Sequence, residues 1–277
     1  MIKEFGMNPK LFLKISIPVS FGISVIALLL PRNIAGIYTI NIMLISLLIA
    51  FLLSLKVAFS YERELKKVFF YLAFFILFLF FANLDQFWSL LYSIFGPLPY
   101  ISLAVAGIAY VLLIRSCINI LKITDFTSIH KKEWIFIIFM FILGNFIIFY
   151  FLLNYRIEFN VEVLTKILFR IIDNAIVIML LPILFLYRQQ SSMENKESIT
   201  FTIVLIGIII STIGDYVLEI LSKISYQELS SGFHTGTLLD SIYILSYLLI
   251  ALGLYAHLNY YRWTMKKIDL DRLDLTI

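Results

Sequence analysis

Charged residues are scarce in this chain of 277 residues. They make up 14% of it, whereas a typical soluble domain has about 25%. Hydrophobic residues reach 61% and the mean hydropathy is +0.97, so the solvent of most of the chain is lipid. Because no segment could form a soluble domain with a basic groove, the net charge of +4 does not indicate nucleic-acid binding. The composition predicts an all-α integral membrane protein.

Cysteine and histidine are also rare, and this excludes several kinds of cofactor site. The single cysteine, Cys117, rules out an intrachain disulfide and a cysteine-based metal cage. The three histidines, His130, His234 and His257, lie at predicted helix ends or in loops, so a haem held between paired intramembrane histidines is excluded. The His-Glu-x-x-His pattern of zinc proteases is absent. The sequence therefore predicts neither a cofactor nor a metal site.

Long apolar runs dominate what remains, and eight of them can cross a bilayer, which takes about 20 helical residues. The predicted spans are Phe12–Leu30, Ile34–Leu55, Val68–Ile94, Leu98–Leu121, Trp134–Leu153, Ile167–Tyr187, Ile199–Leu221 and Thr237–Asn259. Pro18 and Pro182 lie inside spans, where membrane helices tolerate proline if neighbours satisfy the freed carbonyl. We expect a single membrane domain over residues 1–277, with residues 263–277 as a cytoplasmic tail.

Lysine and arginine are distributed unequally between the two sides of the predicted spans. Sixteen lie on the side of the N-terminus, and four lie on the other side: Arg32, Arg156, Lys166 and Lys223. Cytoplasmic loops of membrane proteins carry the excess of positive charge. The distribution predicts a multi-pass protein of the cell membrane with both termini in the cytoplasm, as an even number of spans requires.

A shift of 130 residues places spans two and three on spans six and seven. The shift aligns Asp85 with Asp215, and Tyr110 matches Tyr247 once a shorter outer loop is allowed for. This pattern predicts two parallel four-helix repeats. Chance is the alternative, because apolar helices align easily. The two predicted halves are residues 1–130 and 131–262.

Ionisable side chains inside spans are costly and are candidates for function. Four aspartates lie in this position: Asp85, Asp173, Asp215 and Asp240. At 1.5 Å per helical residue, all four lie about 21–25 Å from the cytoplasmic end of their spans, in the outer part of the bilayer core. Arg170 and Glu219 lie slightly further out. This layer predicts a polar pocket open to the outside. In the alternative, each aspartate reaches water by itself, or pairs locally as Arg170 and Asp173 could do.

Tyrosines accompany the carboxylates. Asp240, Tyr243 and Tyr247 share one face of the eighth span. Aromatic faces beside carboxylates can hold a cation or an amphipathic lipid head group, although tyrosine also marks the membrane interface. The predicted ligand-binding residues are Asp85, Asp173, Asp215, Glu219, Asp240, Tyr243, Tyr247 and Arg170.

Two segments resemble a known kind of membrane region. Residues 214–220 read GDYVLEI and residues 237–254 read TLLDSIYILSYLLIALGL. They resemble the multi-helix membrane sensor regions fused to prokaryotic GGDEF diguanylate cyclases and histidine kinases, in which a Gly-Asp helix precedes a helix reading Asp-x-x-Tyr/Trp-x-x-x-Tyr. The matching positions are Gly214, Asp215, Asp240, Tyr243 and Tyr247. In the first half only Asp85 and Tyr110 match, and Leu103 stands where the second aspartate belongs.

The resemblance implies a sensor that signals to a cytoplasmic output. About 18 residues follow the eighth span, too few for an output domain. We therefore expect either a trimmed sensor region or a protein that signals through a cytoplasmic partner. In both cases the ligand would be a small cationic or amphipathic molecule that arrives from the outer side of the bilayer.

Two other functions stay open. The chain also resembles, more loosely, the eight-helix lysoplasmalogenase family, which implies an intramembrane lipid hydrolase with Asp85 and Asp215 as its acid–base pair. A cation- or proton-coupled transporter would suit the predicted repeat, but the acids lie nearer the outer surface than the midplane. We expect a binding protein rather than an enzyme, and no catalytic residue is assigned outside the hydrolase alternative.

Overall fold

The computed structural model describes residues 9–84, 101–123, 129–154, 161–192, 196–224 and 238–273, with side chains over slightly shorter stretches. Every regular element in these ranges is an α-helix. The helices are α1 (Pro9–Leu29), α2 (Arg32–Ser60), α3 (Arg63–Ala82), α4 (Ile101–Ile123), α5 (Lys131–Asn154), α6 (Val161–Ser192), α7 (Lys196–Ile224) and α8 (Leu238–Leu273). The prediction of an all-helical protein is confirmed.

Most of these helices are long and apolar enough to cross a bilayer. Seven of them contain a stretch long and apolar enough to cross a bilayer. In the eighth, α7, the apolar stretch among the described side chains is Thr200–Asp215, which is shorter. Helix α7 is nevertheless 29 residues long, or about 44 Å at 1.5 Å per residue, which exceeds the thickness of a bilayer core. The apolar helices indicate a membrane-embedded, multi-pass protein.

The break between α1 and α2 lies where the sequence places it. Pro31 precedes α2 with extended dihedral angles (φ −54°, ψ 142°). Its carbonyl accepts hydrogen bonds from the backbone N–H groups of Ile34 and Ala35, at 2.9 and 2.8 Å. Because proline has no backbone N–H of its own, it is well suited to precede the first turn of a helix.

The predicted third span, Val68–Ile94, is wrong at its outer end, because α3 ends at Ala82. Asn83 leaves the helical conformation with φ −90° and ψ 5°. Its side-chain Nδ2 donates to the carbonyl of Leu79 at 2.8 Å and so satisfies an acceptor at the helix end. Asp85 itself is outside the described residues.

Six helices pack in a closed cycle. In order around it, each helix contacts the next: α2, α3, α4, α6, α7, α8 and again α2. Helices α1 and α5 lie outside the cycle, α1 against α8 and α2, and α5 against α6. Inside, the described side chains leave an apolar void of about 10 Å³ between α3, α4, α6 and α7. Such a void is about the size of one water molecule.

Helices α7 and α8 approach each other closely at glycines. A Cβ atom added at Gly253 would lie 2.9 Å from the carbonyl oxygen of Thr200 and 2.7 Å from a methyl group of Val204. Further along the same interface, the Ser246 hydroxyl donates to the carbonyl of Gly207 at 2.9 Å. Small residues and such interhelical hydrogen bonds are the usual means of joining membrane helices, because lipid supplies no hydrophobic force between them.

We therefore expect Gly253→Ala to lower the free energy of unfolding by about 1–3 kcal/mol, the usual cost of overpacking a tight interface. The matched control is Gly107→Ala on α4, where an added Cβ meets nothing within 4 Å. That change should be neutral or stabilising by up to about 1 kcal/mol, because alanine favours helix over glycine. Unfolding of both purified variants in detergent measures the difference, and equal stability of the two would contradict the close packing.

Candidate functional site

The carboxylate of Asp215 is held between two tyrosines from different helices. It lies on α7 and accepts a hydrogen bond from the Tyr110 hydroxyl of α4 at 2.9 Å through Oδ2. Through Oδ1 it accepts a second from the Tyr243 hydroxyl of α8 at 2.5 Å. Hydrogen bonds to an ionised acceptor are shorter and stronger than those between neutral groups. Asp215 therefore ties α4, α7 and α8 together at one point.

A second aspartate joins this cluster from α6. Asp173 forms an ion pair with Arg170, three residues earlier on the same helix, with 2.7 Å between Oδ2 and Nη1. The side chain of Asp173 is 0% exposed and that of Arg170 is 11% exposed. Asp173 and Arg170 both interact electrostatically with Asp215. The local ion pair between Arg170 and Asp173, which the sequence analysis gave as an alternative, is thus present. The pair also interacts with Asp215 on α7.

In the described part of the chain, carboxyl groups outnumber cationic groups in this cluster. Among the described residues it contains two carboxyl groups, Asp173 and Asp215, but one guanidinium group, that of Arg170. Asp173 also interacts with the Tyr110 hydroxyl, but neither of its oxygens meets strict hydrogen-bond geometry with a donor in the described part of the chain. A buried charge is costly unless it is paired and hydrogen-bonded. The cluster is therefore suited to take up one positive charge, carried by a proton or by a cationic group.

Tyr247 extends the cluster towards the end of α3. Its ring stacks on that of Tyr243, with 6.1 Å between centroids and 27° between planes. Its hydroxyl interacts with Ser211 of α7 and with Asn83, the residue that ends α3. Tyr110 adds a further aromatic surface because its ring packs on Phe169 at 5.4 Å. The acids therefore lie beside an aromatic wall that several helices build.

The packing of Tyr243 and Ile242 explains why a glycine, Gly214, precedes Asp215. A Cβ atom at Gly214 would lie 3.1 Å from Cε1 of Tyr243 and 3.2 Å from a methyl group of Ile242. Those contacts are closer than ordinary van der Waals packing, so a side chain here would displace the tyrosine ring. The absence of a side chain lets Tyr243 lie against α7 and place its hydroxyl on Asp215.

The remaining predicted residues lie around this centre or outside the described part. Asp240 is 1% exposed in the first turn of α8, where a negative charge is favoured by the helix dipole. It precedes Tyr243 by one turn and is not among the described hydrogen-bond partners of Asp215. Glu219 belongs to α7, but its side chain is outside the described residues. Asp85 is outside them altogether.

Sequence reasoning missed three members of the cluster: Tyr110, Asn83 and Ser211. Tyr110 had a signal, since it aligns with Tyr247 in the predicted repeat, but it was not expected to bind the acid of the other half. Its hydroxyl reaches Asp215 across 105 residues of sequence. Asn83 and Ser211 carry no signal in the sequence, because single polar residues near helix ends are common.

A separate polar cluster surrounds His257. Its Nδ1 shares a hydrogen bond with the Thr200 hydroxyl at 2.9 Å, and its Nε2 shares one with the Tyr61 hydroxyl at 2.8 Å. The imidazole ring packs against Phe69 and Phe201. The sequence places His257 at a helix end, whereas in the structure α8 continues beyond it to Leu273. This cluster joins α8 to α7 and to the α2–α3 connection.

Among the described residues, no group of three or more histidine, cysteine, aspartate or glutamate side chains is arranged to hold a metal ion. The described residues around Asp215 instead form a buried site of acidic and aromatic side chains. No protein-family model, curated protein or solved structure matches the chain.

Proposed function

We propose that the protein is a membrane sensor whose Asp215 cluster binds a small cationic or amphipathic ligand from the outer side. The observation that carries the proposal is the course of α8. This helix presents Tyr243 to Asp215 and then continues without a break to Leu273, over 36 residues. At 1.5 Å per residue it is about 54 Å long, well beyond the bilayer core. A shift of α8 at the cluster is therefore transmitted to its far end.

The ligand class follows from charge and aromatic surface. A cationic head group would offset the excess carboxyl charge of Asp173 and Asp215, and the faces of Tyr243 and Tyr247 would contact it. The ligand would compete with the Tyr243 hydroxyl for Asp215 and so change the packing of α7 on α8. Binding then shifts the population between two packings of these helices, which is the signal.

The proposal includes the orientation and the internal repeat. The distribution of lysine and arginine supports N-terminal and C-terminal ends in the cytoplasm, with the Asp215 cluster nearer the outside. The helix contacts support duplication, since α2 on α3 and α3 on α4 have counterparts in α6 on α7 and α7 on α8. The contact of α4 with α6 likewise has a counterpart in that of α8 with α2. Superposition of the two halves in an experimental structure tests the repeat.

The binding step can be tested with quaternary ammonium probes. Choline, tetraethylammonium and dodecyltrimethylammonium would be titrated onto the protein in nanodiscs, with 3,3-dimethylbutanol as the neutral counterpart of choline. We expect at least one cation to bind and the neutral compound not to bind. Asp215→Asn should weaken that binding about tenfold or more, because it removes the charge that attracts the cation.

The matched control is Glu64→Gln, which makes the same chemical change at the opposite end of the helices, on an acid paired with Lys67. Binding to this variant should equal that of the wild type. The orientation is tested in the same assay, since right-side-out vesicles should bind the cation that binds in nanodiscs and sealed inside-out vesicles should not. Failure of all three cations to bind, or equal binding by the neutral compound, would refute the proposed ligand class.

A cation- or proton-coupled transporter is the second candidate, and the excess carboxyl group is the observation that favours it. Asp173 and Asp215 lie on adjacent helices and interact with each other, as a pair that alternately binds and releases one positive charge would. This function predicts accumulation of a labelled cation in vesicles and loss of that accumulation when the ion gradient is dissipated. The sensor predicts binding without accumulation. The hydrolase stays a prediction, since Asp85 lies outside the described residues.

A further inference from the structure

Helix α5 is the least covered helix in the described part of the chain. It packs against α6, whereas α1, which also lies outside the cycle, packs against two helices. Its exposed apolar residues include Ile135, Ile138, Phe141, Ile142, Phe146 and Phe149. In a bilayer such a surface is ordinarily covered by lipid, and apolar exposure alone says nothing about a protein partner.

A carboxamide lies among these apolar residues. Asn145 is exposed on α5, and its Nδ2 donates to the carbonyl of Phe141 on the same helix at 2.8 Å. The second N–H and the Oδ1 of the carboxamide have no partner in the described part of the chain. At 1.5 Å per residue, Asn145 is about 17 Å from Trp134 and about 12 Å from Leu153, the two ends of the apolar run. An unsatisfied amide at this depth is costly in lipid.

We propose that this face of α5 pairs with the same face of a second copy of the chain, through mutual hydrogen bonds between the two Asn145 carboxamides. A carboxamide is self-complementary, since it offers both N–H donors and a carbonyl acceptor. A two-fold axis brings identical surfaces together, so each Asn145 meets its own counterpart. Lipid tails provide neither group, whereas a second copy provides both. Phe141 and Phe149, one turn to either side, pack around the pair.

A second exposed asparagine allows the proposal to be checked within the chain. Asn41 on α2 is also exposed and donates to the carbonyl of Ile37 at 2.7 Å. Helix α2, however, packs against three helices, α1, α3 and α8. Helix α5 packs against one helix, α6, among the described contacts, so another helix can approach its exposed face. The α5 face is therefore the one we assign to the dimer, and the α2 face is its control.

Cysteine crosslinking in native membranes tests the contact. The single natural cysteine, Cys117, is buried, so a Cys117→Ala background is free of accessible thiols. In that background Phe141→Cys places a thiol one turn from Asn145, and Ile45→Cys places one at the same spacing from Asn41. We expect oxidation to yield covalent dimers of the Phe141→Cys protein and not of the Ile45→Cys protein. The opposite pattern, or no dimer from either, would overturn the proposal.

The role of the carboxamide is tested separately by energy transfer between labelled copies in liposomes, as protein is diluted with lipid. Asn145→Leu should weaken the dimer about 3- to 15-fold, which corresponds to the measured range for one interhelical polar contact in a membrane. Asn145→Gln should retain much of the affinity, and Asn41→Leu should leave it unchanged. A dimer of equal affinity in Asn145→Leu would refute the hydrogen-bonded pair. None of these readouts depends on the ligand of the Asp215 cluster.

Discussion

Arg170→Met should reduce the free energy of unfolding by about 3–5 kcal/mol, the cost of leaving a buried charge without its partner. Methionine keeps most of the length and apolar character of the arginine stem, so the change removes mainly the charge. Asp173, which is 0% exposed, would lose its ion pair. Asp215 would lose the same cation, because Arg170 interacts with both acids. Equilibrium unfolding in mixed detergent micelles measures the loss.

A second substitution should restore the stability that Arg170→Met removes. In the Arg170→Met background, Asp173→Asn removes the stranded charge and should recover much of the lost stability, because changes at directly contacting residues are not additive. The matched control is Lys67→Met. Lys67 also forms an ion pair at i, i+3, with Glu64 at 2.6 Å, but both side chains are well exposed. Its loss should leave unfolding unchanged, and equal losses for Arg170→Met and Lys67→Met would show that the α6 pair is not buried.

Most of the helices could be predicted because a membrane span leaves a strong signal, a run of about 20 apolar residues. The signal fails where such a run continues past a helix end. The apolar run from Val68 continues beyond Asn83 through Phe87 and Trp88, so hydropathy extends the third span to Ile94. In the structure the side chain of Asn83 bonds to the carbonyl of Leu79 and ends α3 there. A single capping interaction is local geometry, which an average over many residues does not detect.

The sequence predicts the depth of the acids in the bilayer, but it does not predict which helices bring them together. Counting residues along each helix places Asp173 and Asp215 at one level, and the structure shows that they interact. Which helices are neighbours depends on packing that is set by residues far apart in sequence. The contact of α4 with α6 and the hydrogen bond from Tyr110 to Asp215 belong to this class. The sequence therefore predicts Glu219 as a ligand-binding residue from its depth and does not predict Tyr110, whose contact depends on helix packing.

Replacing Tyr243 by phenylalanine should lower stability and raise affinity for a cation at the same time. Leaving a buried acceptor without its hydrogen bond costs about 1–3 kcal/mol, and this bond, at 2.5 Å, is the shorter of the two that Asp215 accepts. The same change frees one carboxylate oxygen, so a quaternary ammonium probe no longer competes with the hydroxyl. Unfolding in detergent and probe binding in nanodiscs measure the two effects on one variant.

Two further variants show whether Asp215 is the origin of both effects. Tyr247→Phe is the matched control, because that ring stacks on Tyr243 while its hydroxyl interacts with Ser211 and Asn83. It should lower stability without raising cation affinity. In an Asp215→Asn background, Tyr243→Phe should cost less than it does alone, by a coupling energy of about 0.5–3 kcal/mol. A purely structural cluster would lose stability in every variant and bind no cation in any of them. Opposite signs for stability and affinity in Tyr243→Phe are expected of a site that holds its carboxylate closed until a cation displaces the tyrosine.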